Sequence, residues 1–359
     1  MTSQPNPGVA SPSRVDELQK RLRIPRWRHI NAARKRSDKQ LERLKTQLAP
    51  LVIGDVTCVV FGSLARLELT KGSDIDWTLL VDGGAAAEHR GLAKRVEARF
   101  REMKLTDPSP GGAFGNLTFS HDLVHNIGGD DDTNRNTTQR LLLLLESVPI
   151  GSPAAYEHVV GEVLRRYIEE DMTGVTDDPY KVPRFLLNDV VRYWRTMTVD
   201  FAHKRSARAS GWALRTAKLR MSRKLMYTSG LLTCFSCELV PPAERVPGSF
   251  ADVSDVVARL SALVRTTPLD VVAGVMLEYF DELSAPAAEL FSAYDEFLGL
   301  LNDAKWRTRL KKLKPAQAES DPDYRAVREL GGRFENALTE IFLDRDTPVR
   351  ELTRRYGLF

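Results

Sequence analysis

Residues Val59 to Val81 read VVFGSLARLELTKGSDIDWTLLV. The apolar run that ends in Phe61 is typical of a buried strand. The pair Gly62-Ser63 predicts a sharp turn, and Leu64 to Leu69 can then form one or two helical turns.

Two carboxylates open the second predicted strand, Asp74 to Val81. Side chains alternate between the two faces of a strand, so Asp74 and Asp76 share one face while Ile75 and Trp77 share the other. The two aspartates would lie about 7 Å apart and repel each other unless a cation lies between them. Magnesium is the natural ion, because it is held by one or two carboxylates together with substrate phosphates.

The turn between the two strands supplies the other half of such a site. Backbone N–H groups at the start of a helical turn bind phosphate, and glycine leaves the approach unobstructed. We therefore expect Gly62 and Ser63 to hold phosphate groups that face a metal bound by Asp74 and Asp76.

The same residues resemble the signature of the polymerase-β-type nucleotidyltransferase superfamily. That signature is a hydrophobic residue and Gly-Ser, ten residues, then Asp-hydrophobic-Asp-hydrophobic, and Phe61 to Ser63 and Asp74 to Trp77 fill every position. The intervening residues also resemble stand-alone bacterial members, including the uridylyltransferases that modify PII signal proteins, at Ala65-Arg66, Glu68, Thr70 and Gly72-Ser73. The resemblance implies transfer of a nucleoside monophosphate from a nucleoside triphosphate, ATP or another, to an acceptor hydroxyl. Pyrophosphate would be released, and two Mg²⁺ ions would be bound.

The resemblance also implies a third carboxylate, because members of this superfamily usually place one on a neighbouring strand. The segment Asn116 to Leu123 alternates as a strand would, and Asp122 is the first candidate for both metal ligand and catalytic base. The alternative is that Asp122 caps a turn or the following helix. Glu146 is the second candidate, since the PII uridylyltransferases have a comparable acidic residue and glycine here. The arginine expected between that acidic residue and Gly151 is missing.

An acidic run, Asp130 to Asp132, could also suggest a metal site. It precedes a helix that is apolar all round at Leu141 to Leu145 and is therefore predicted to be buried. Acidic residues complement the positive end of a helix, so we predict Asp132 or Thr133 as its N-cap rather than as metal ligands.

The second half of the chain contains candidate phosphate-binding cations. A helix predicted from Gly211 to Leu232 concentrates these residues within two turns: Lys218, Arg220, Ser222, Arg223 and Lys224. Cationic side chains stabilise charge in phosphoryl transfer, so we expect Lys218, Arg220 and Ser222 to bind the nucleotide, with Lys218 foremost. The alternative is a solvated basic face, or ion pairs with Asp189 and Asp200.

The length of 359 residues allows two ordinary domains. We predict an α+β fold in which a small mixed sheet with flanking helices is followed by an all-helical domain. Residues 1–13 are rich in Pro and Ser and are predicted to be a disordered tail. Residues 14–150 would form the catalytic domain with its N-terminal helices, and residues 151–359 the other wall of a cleft.

Composition limits the partners. A net charge of +4 is modest, so nucleic acid is a possible partner but is not demanded, and Lys305 to Lys314 is predicted to be a solvated basic helix face. The three cysteines, Cys58, Cys234 and Cys237, are predicted to be reduced, buried thiols. No segment approaches 18 uninterrupted apolar residues and no signal peptide is evident, so we expect a cytoplasmic protein without membrane contact.

The acceptor hydroxyl and the preferred nucleotide stay open. A protein side chain is the first choice, because the wording of the motif is closest to that of the PII-modifying enzymes. A nucleotide acceptor, which would give a linear or cyclic oligonucleotide signal, comes second, and modification of a small molecule or tRNA third. The non-enzyme alternative is a regulatory nucleotide-binding module that has lost turnover, since the third carboxylate is uncertain.

Overall fold

The computed structural model describes residues 13–52, 54–105, 117–172, 181–206, 211–239 and 253–357. Residues 1–12 of the predicted tail lie outside these ranges. Ser13 belongs to the folded part, because its hydroxyl accepts a hydrogen bond from the N–H of Val15 and caps the first helix.

Strands in the described part of the chain form one mixed sheet. They are β1 (Val56–Phe61), β2 (Trp77–Val81), β3 (Leu117–Phe119) and β4 (Ser147–Ile150). The strand order is β3-β2-β1-β4. Strand β1 pairs antiparallel with both β2 and β4, whereas β2 pairs parallel with β3. The predicted small mixed sheet is confirmed.

Helices make up most of the remaining structure. Those that accompany the sheet are α1 (Arg14–Leu22), α2 (Arg28–Leu48), α3 (Ala87–Glu102), α4 (Ser120–Val124), α5 (Asn134–Leu145) and α6 (Ala154–Met172). The second half continues with α7 (Arg184–Ser206), α8 (Trp212–Lys218), a π-helical segment (Leu219–Arg223), α9 (Lys224–Phe235), α10 (Val253–Val264) and α11 (Pro268–Glu278). It ends with α12 (Phe280–Asn302), α13 (Ala304–Lys312), a 3-10 turn (Pro315–Gln317), α14 (Pro322–Thr339), a second π-helical segment (Glu340–Asp344) and α15 (Pro348–Tyr356). After β4, the described residues contain only helices and connecting turns, as expected.

Alternation along β1 determines what packs on each face of the sheet. Cys58 and Val60 point into a core shared with α2 and α3. Val59 and Phe61 point the other way, into a core shared with α5, α6 and the helices of the second half. Both faces are therefore covered, and every residue of β1 is buried. This burial fixes the end of β1, and with it the position of the turn that follows.

The packing does not divide at residue 150. Val15 and Leu18 of α1 belong to the core of the helical half, and α1 packs against α11. Two polar contacts reinforce this, since Asp270 of α11 accepts from the Ser13 hydroxyl over 2.7 Å and pairs with Arg34 over 2.8 Å. The structure thus groups α1 and the start of α2 with the helical half, whereas the predicted division placed all N-terminal helices with the sheet.

Two predicted strands are shorter than expected. Strand β2 begins at Trp77, although the preceding residue already bonds to β1, since the carbonyl of Asp76 accepts from the N–H of Phe61 over 2.9 Å. Strand β3 ends at Phe119, and the chain turns into α4 at Ser120. The predicted strand is therefore wrong from Ser120 onward, because alternation over a few residues does not distinguish a strand from a single helical turn.

The cysteines were predicted to be buried thiols. All three cysteines are buried free thiols, as predicted, and burial raises the pKa of Cys58 to about 12.

No single helix within the described ranges is long and apolar enough to cross a membrane. Helices α10 and α11 meet these criteria only as a pair, joined across a bend of 112°.

Candidate functional site

The turn after β1 places Gly62 beside the carboxylate of Asp76. Gly62 has a φ of +73°, in the left-handed region that L side chains rarely adopt. A Cβ atom at this position would lie 3.9 Å from Oδ2 of Asp76. Because the N–H of Phe61 also donates to the Asp76 carbonyl, the turn and the aspartate are held in register. The left-handed backbone conformation therefore favours glycine here, while 3.9 Å is an ordinary contact distance that a Cβ atom could make to the carboxylate.

A small cleft gathers most of the predicted site residues. It lies between this turn, the segment before β2 and the helices of the second half, and its volume is about 120 Å³. Its polar lining consists of Gly62, Ser63, Arg66, Glu68, Thr70, Ser73, Asp74, Asp76, Lys218, Ser222, Arg223 and Arg307. A space of this size holds about four water molecules, so it suits ions and phosphate groups rather than a whole nucleoside.

Asp74 and Asp76 alternate with apolar residues as the sequence predicts. Their side chains are exposed to the cleft, whereas Ile75 and Trp77 are 3% and 2% exposed and belong to the core. The alternation begins before the regular strand, because backbone pairing with β1 already extends to Asp76. The two carboxylates therefore share one face even though only the following residues form β2.

Hydrogen bonds from distant helices hold the segment before the two aspartates. The Ser37 hydroxyl of α2 accepts from the N–H of Leu69 over 3.0 Å. From α13, the Arg307 guanidinium donates to the carbonyl of Gly72 over 2.7 Å and to the hydroxyl of Thr70 over 3.1 Å. These bonds fix the path of the loop, so Asp74 is positioned by protein contacts alone.

The opposite wall of the cleft is the continuous helix formed by α8 and α9. Lys218, Ser222 and Arg223 all face the cleft from it. In a regular α-helix, residues five apart would point about 140° away from each other. The π-helical segment Leu219–Arg223 has i→i+5 hydrogen bonding, which brings Arg223 round to the side of Lys218. The local change of helix type therefore aligns three polar side chains on one wall.

Arg220 is placed elsewhere, and its prediction as a nucleotide ligand requires correction. It follows Lys218 by two residues, which turns it to the opposite side of the helix. There it packs against α14, where a Cβ atom at Gly331 would lie 3.3 Å from Cδ of Arg220. Lys224 faces the same way and pairs with Glu335 of α14 over 3.1 Å. These two cations bind the helix to its neighbour rather than lining the cleft.

Asp122 lies at the opposite end of the sheet from the cleft. It is in α4, directly after β3, and the parallel pairing of β3 with β2 puts Phe119 beside Val81. Asp76 precedes Val81 by five residues, roughly 16 Å along an extended strand. The Asp122 side chain is 62% exposed and does not line the cleft. The structure therefore contradicts the prediction that Asp122 is a metal ligand or catalytic base.

Glu146, the second candidate, lies next to the cleft, but arginines occupy both of its oxygens. Its side chain is 2% exposed. Oε2 accepts a hydrogen bond from Arg66, and Oε1 accepts one from Arg223 over 2.5 Å. Two guanidinium groups neutralise this carboxylate, which leaves it little attraction for a metal ion. Glu146 instead joins the sheet side of the cleft to the helical side.

The backbone of Glu146 also corrects the expected role of the glycine turn. Its carbonyl accepts a hydrogen bond from the N–H of Gly62 over 3.2 Å, so that N–H does not point toward a phosphate. The residues that follow form turns rather than a regular helix, and Leu67 has a φ of +58°. The N–H of Gly62 is therefore not available to a phosphate, whereas Ser63 lines the cleft.

Comparisons with known proteins assign no family to the cleft. No protein-family model matches the chain. Curated proteins likewise give no significant match. The chemistry of the cleft therefore has to follow from its own side chains.

Charges in the cleft are strongly coupled. Removal from bulk water, together with the charges of Asp74 and Glu146, raises the pKa of Asp76, and Arg223 and Lys218 only partly offset this. Asp76 remains accessible at the cleft surface, but protein atoms surround it on most sides. Burial also lowers the pKa of Lys218, against the attraction of Asp74. The positive charge of Lys218 and Arg223 therefore does not fully balance the two aspartates, and a divalent cation would supply the missing positive charge.

Asp74 and Asp76 are the residues that could hold magnesium. Within the described ranges, no group of three or more His, Cys, Asp or Glu side chains is arranged to bind a metal ion. Two carboxylates are nevertheless sufficient for Mg²⁺ when nucleotide phosphates complete its coordination. The residues present thus fit an ion that arrives with a nucleotide, rather than one held by protein ligands alone.

Sequence reasoning missed Arg307, which lines the cleft, and Tyr294, which lies behind it and contacts Ser222. Arg307 is 7% exposed, although the basic run that contains it was predicted to be a solvated face, and the adjacent Trp306 is also buried. Tyr294 of α12 donates a hydrogen bond to the Ser222 hydroxyl over 3.3 Å. Helical periodicity could have placed Tyr294 on a buried face, but no local pattern indicates that it or Arg307 meets the motif.

Proposed function

We propose that the protein is a magnesium-dependent nucleotidyltransferase. It would move a nucleoside monophosphate from a nucleoside triphosphate to an acceptor hydroxyl: a bond forms from the acceptor oxygen to the α-phosphorus, and pyrophosphate leaves. One observation carries the proposal, namely that Ser63, Asp74 and Asp76 of the motif face Lys218 and Arg223 across one small cleft. Carboxylates on the sheet side and cations on the helical side are what the resemblance to the polymerase-β-type superfamily implies.

The metal would bind to Asp74 and Asp76 together with the nucleotide phosphates. Bound there, it would neutralise charge on the phosphates and lower the pKa of the acceptor hydroxyl. Both carboxylates reach the cleft without support from the metal, because hydrogen bonds from Arg307 and Ser37 already fix the preceding loop.

The helical wall would bind the phosphates directly. Lys218 has no ion pair or hydrogen bond to another residue in the described ranges, so its ammonium is available to a phosphate oxygen. Arg223 is oriented by Glu146 and can donate its remaining N–H groups to the leaving pyrophosphate. Ser63 and Ser222 add hydroxyl donors from either side. Most of the acceleration would then be electrostatic and positional.

The experiment is magnesium-dependent pyrophosphate release from each nucleoside triphosphate in the presence of cell lysate. Asp76→Ala should abolish release while the circular dichroism spectrum stays that of the wild type. Asp38→Ala, an exposed change on α2 outside the cleft, is the matched control and should leave release unchanged. Undiminished release by folded Asp76→Ala would rule the proposal out. Labelled nucleotide followed into protein, oligonucleotide or small-molecule fractions identifies the acceptor.

A regulatory nucleotide-binding module without turnover is the second candidate. Two observations favour it: Arg66 and Arg223 donate to both carboxylate oxygens of Glu146, and Asp122 lies far from the cleft. Neither Glu146 nor Asp122 then acts as a third metal ligand. Saturable binding of magnesium and nucleotide, with no pyrophosphate release in any lysate fraction, would support this candidate over the enzyme.

A further inference from the structure

A larger cavity adjoins the cleft. Its volume is about 590 Å³, and it lies between α5, α7 and the helix formed by α8 and α9. Lys218 and Arg223 line both spaces, so the cavity opens onto the same cations that face the two aspartates. Small-ligand sites usually have volumes of about 300–1,000 Å³. A molecule bound in the cavity would therefore lie directly beside the reacting phosphates.

The walls of the cavity carry an excess of positive charge. Arg135 projects from α5 and Arg215 from α8, and together with Lys218 and Arg223 they outnumber the single carboxylate, Asp200. Neither Arg135 nor Arg215 forms an ion pair or a side-chain hydrogen bond with a residue that the structure describes. Cations without protein partners around a concave surface indicate a ligand that is itself an anion.

The remaining lining suits the nucleoside part of such an anion. Tyr193, Met197 and Phe201 of α7 provide apolar and aromatic surface on which a base can lie. Asn134 and Thr138 of α5 provide polar groups that can bond to a base edge or a ribose hydroxyl. Aromatic surface, amide and hydroxyl groups, and arginines for phosphate occur together in this one cavity.

A groove continues the cavity along α7. Its volume is about 650 Å³, and it shares Asn134, Thr196 and Asp200 with the cavity. It adds Arg195, whose side chain is exposed, to the cations already described. A ligand that extends beyond one nucleotide would thus find further positive charge in line with the cavity.

We propose that this cavity binds the acceptor, and that the acceptor is a nucleotide, either free or at the end of a short RNA strand. The inference rests on the proposed nucleotidyl transfer and specifies its second substrate. The acceptor's hydroxyl oxygen, close to Lys218, forms the bond to the α-phosphorus of the triphosphate. Pyrophosphate leaves, and the hydroxyl proton passes to solvent. The product is then an oligonucleotide rather than a modified protein.

Binding without turnover tests the acceptor site separately from catalysis. The protein is first saturated with Mg²⁺ and a nucleoside triphosphate analogue whose α–β bridge is a methylene group. Fluorescent nucleoside monophosphates and a fluorescent RNA trinucleotide are then titrated, and these two probes separate a free acceptor from a strand end. We expect at least one of them to bind to the saturated protein.

A charge reversal locates the site. Arg135→Glu combined with Arg215→Glu should weaken acceptor binding by about tenfold or more, because each arginine loses a charge-assisted hydrogen bond to phosphate. Affinity for the triphosphate analogue should change less. Arg90→Glu, an exposed change on α3 that lines neither cavity, is the matched control and should bind both ligands as the wild type does. If the double variant does not fold, Arg135→Gln with Arg215→Gln replaces it.

The outcomes separate this inference from the proposed function. Displacement of the monophosphate and the trinucleotide by the analogue would assign the cavity to the nucleoside of the donor, which overturns the inference and leaves nucleotidyl transfer standing. The same holds if the analogue binds but neither acceptor probe does. If the analogue itself does not bind, the proposed function fails, and the acceptor site fails with it.

Discussion

The Arg223 guanidinium donates a hydrogen bond to Oε1 of Glu146 over 2.5 Å, at the junction of the sheet and the helical half. The other oxygen of the same carboxylate accepts from Arg66. Burial on its own would raise the pKa of Glu146, but the two guanidiniums outweigh it and hold that pKa below its ordinary value. The attraction is mutual, since Glu146 raises the pKa of Arg223. Glu146 is therefore a positioning residue that orients both arginines.

Glu146→Gln should lower the free energy of unfolding substantially and should change the Mg²⁺ affinity little. Removing this charge leaves Arg66, which is 6% exposed, with only Glu68 as its ionic partner, and it releases Arg223. Breaking a buried ion pair from one side lowers the free energy of unfolding by about 3–5 kcal/mol. Urea unfolding measures this loss, and calorimetric titration of Mg²⁺ with a nucleotide analogue measures the metal affinity.

Glu157→Gln is the control for this change. Its exposed pair with Arg265 should contribute at most about 1 kcal/mol to stability. If Glu146→Gln lowered the Mg²⁺ affinity as far as Asp76→Ala does, Glu146 would be a metal ligand and not a positioning residue.

Arg140→Met should destabilise the protein through a network away from the cleft. Arg140 is fully buried, and its Nη2 donates to Asp132 over 2.8 Å and to Asp189 over 3.1 Å. Without this guanidinium, Asp132 and Asp189 keep only the partly exposed Arg192 as an ionic partner, at 3.1 and 3.8 Å, and we expect a loss of about 3–5 kcal/mol in urea unfolding. Arg166→Met, which removes an exposed pair with Glu170 within α6, should cost about 1 kcal/mol or less. Equal losses in the two variants would contradict this account.

Arg307→Ala should lower the rate of transfer by loosening the loop that carries Asp74. It removes the hydrogen bonds to Gly72 and Thr70, and misplacing a reacting group by about 1 Å can cost roughly a hundredfold in rate. Pyrophosphate release under saturating nucleotide measures the effect, and Arg307→Lys should restore part of it, because the ammonium can still donate to one carbonyl.

Arg309→Ala on the same helix is the control for Arg307. Its guanidinium pairs with Asp323 at the surface and does not reach the cleft. If both alanine variants lost activity equally, the effect would belong to α13 as a whole and not to the contact with the loop.

The parts of the site that were predictable depend on near neighbours in sequence. Gly62 and Asp76 meet because a turn and strand pairing bring the two ends of a short loop together. Lys218 and Ser222 share a wall because side chains four residues apart lie on one side of a helix. Arg220 was assigned to the wrong side, because the face that meets the cleft depends on which face α14 covers.

The parts that were not predictable depend on contacts between distant segments. Arg307 comes from α13 and meets the loop before Asp74 only because of the way α13 packs against α8 and α12. The prediction for Asp122 was wrong because a strand of three residues and the first turn of a short helix have similar patterns of polar and apolar residues. Likewise, nothing in α1 itself indicates that it packs on α11 rather than on the sheet.

The affinity for nucleotide with magnesium should fall at both ends of the pH range. Burial, Asp74 and Glu146 raise the pKa of Asp76 above the ordinary 3.8, so Asp76 takes up a proton, and the metal is lost, at a higher pH than for an ordinary aspartate. Lys218 has a lowered pKa, so its charge, and its bond to phosphate, disappear as the pH rises through that value. Affinity for a triphosphate analogue, measured against pH at constant free Mg²⁺, should show both limbs.

Lys218→Gln separates the two limbs of this profile. The alkaline limb should disappear with the ammonium, and the acid limb should move to higher pH, because Lys218 is one of the two cations that lower the pKa of Asp76. Comparison with the wild type removes the titration of the nucleotide itself. Lys224→Gln, on the same helix but paired with Glu335, should leave both limbs in place. An acid limb that does not move in Lys218→Gln would mean that Asp76 does not set it.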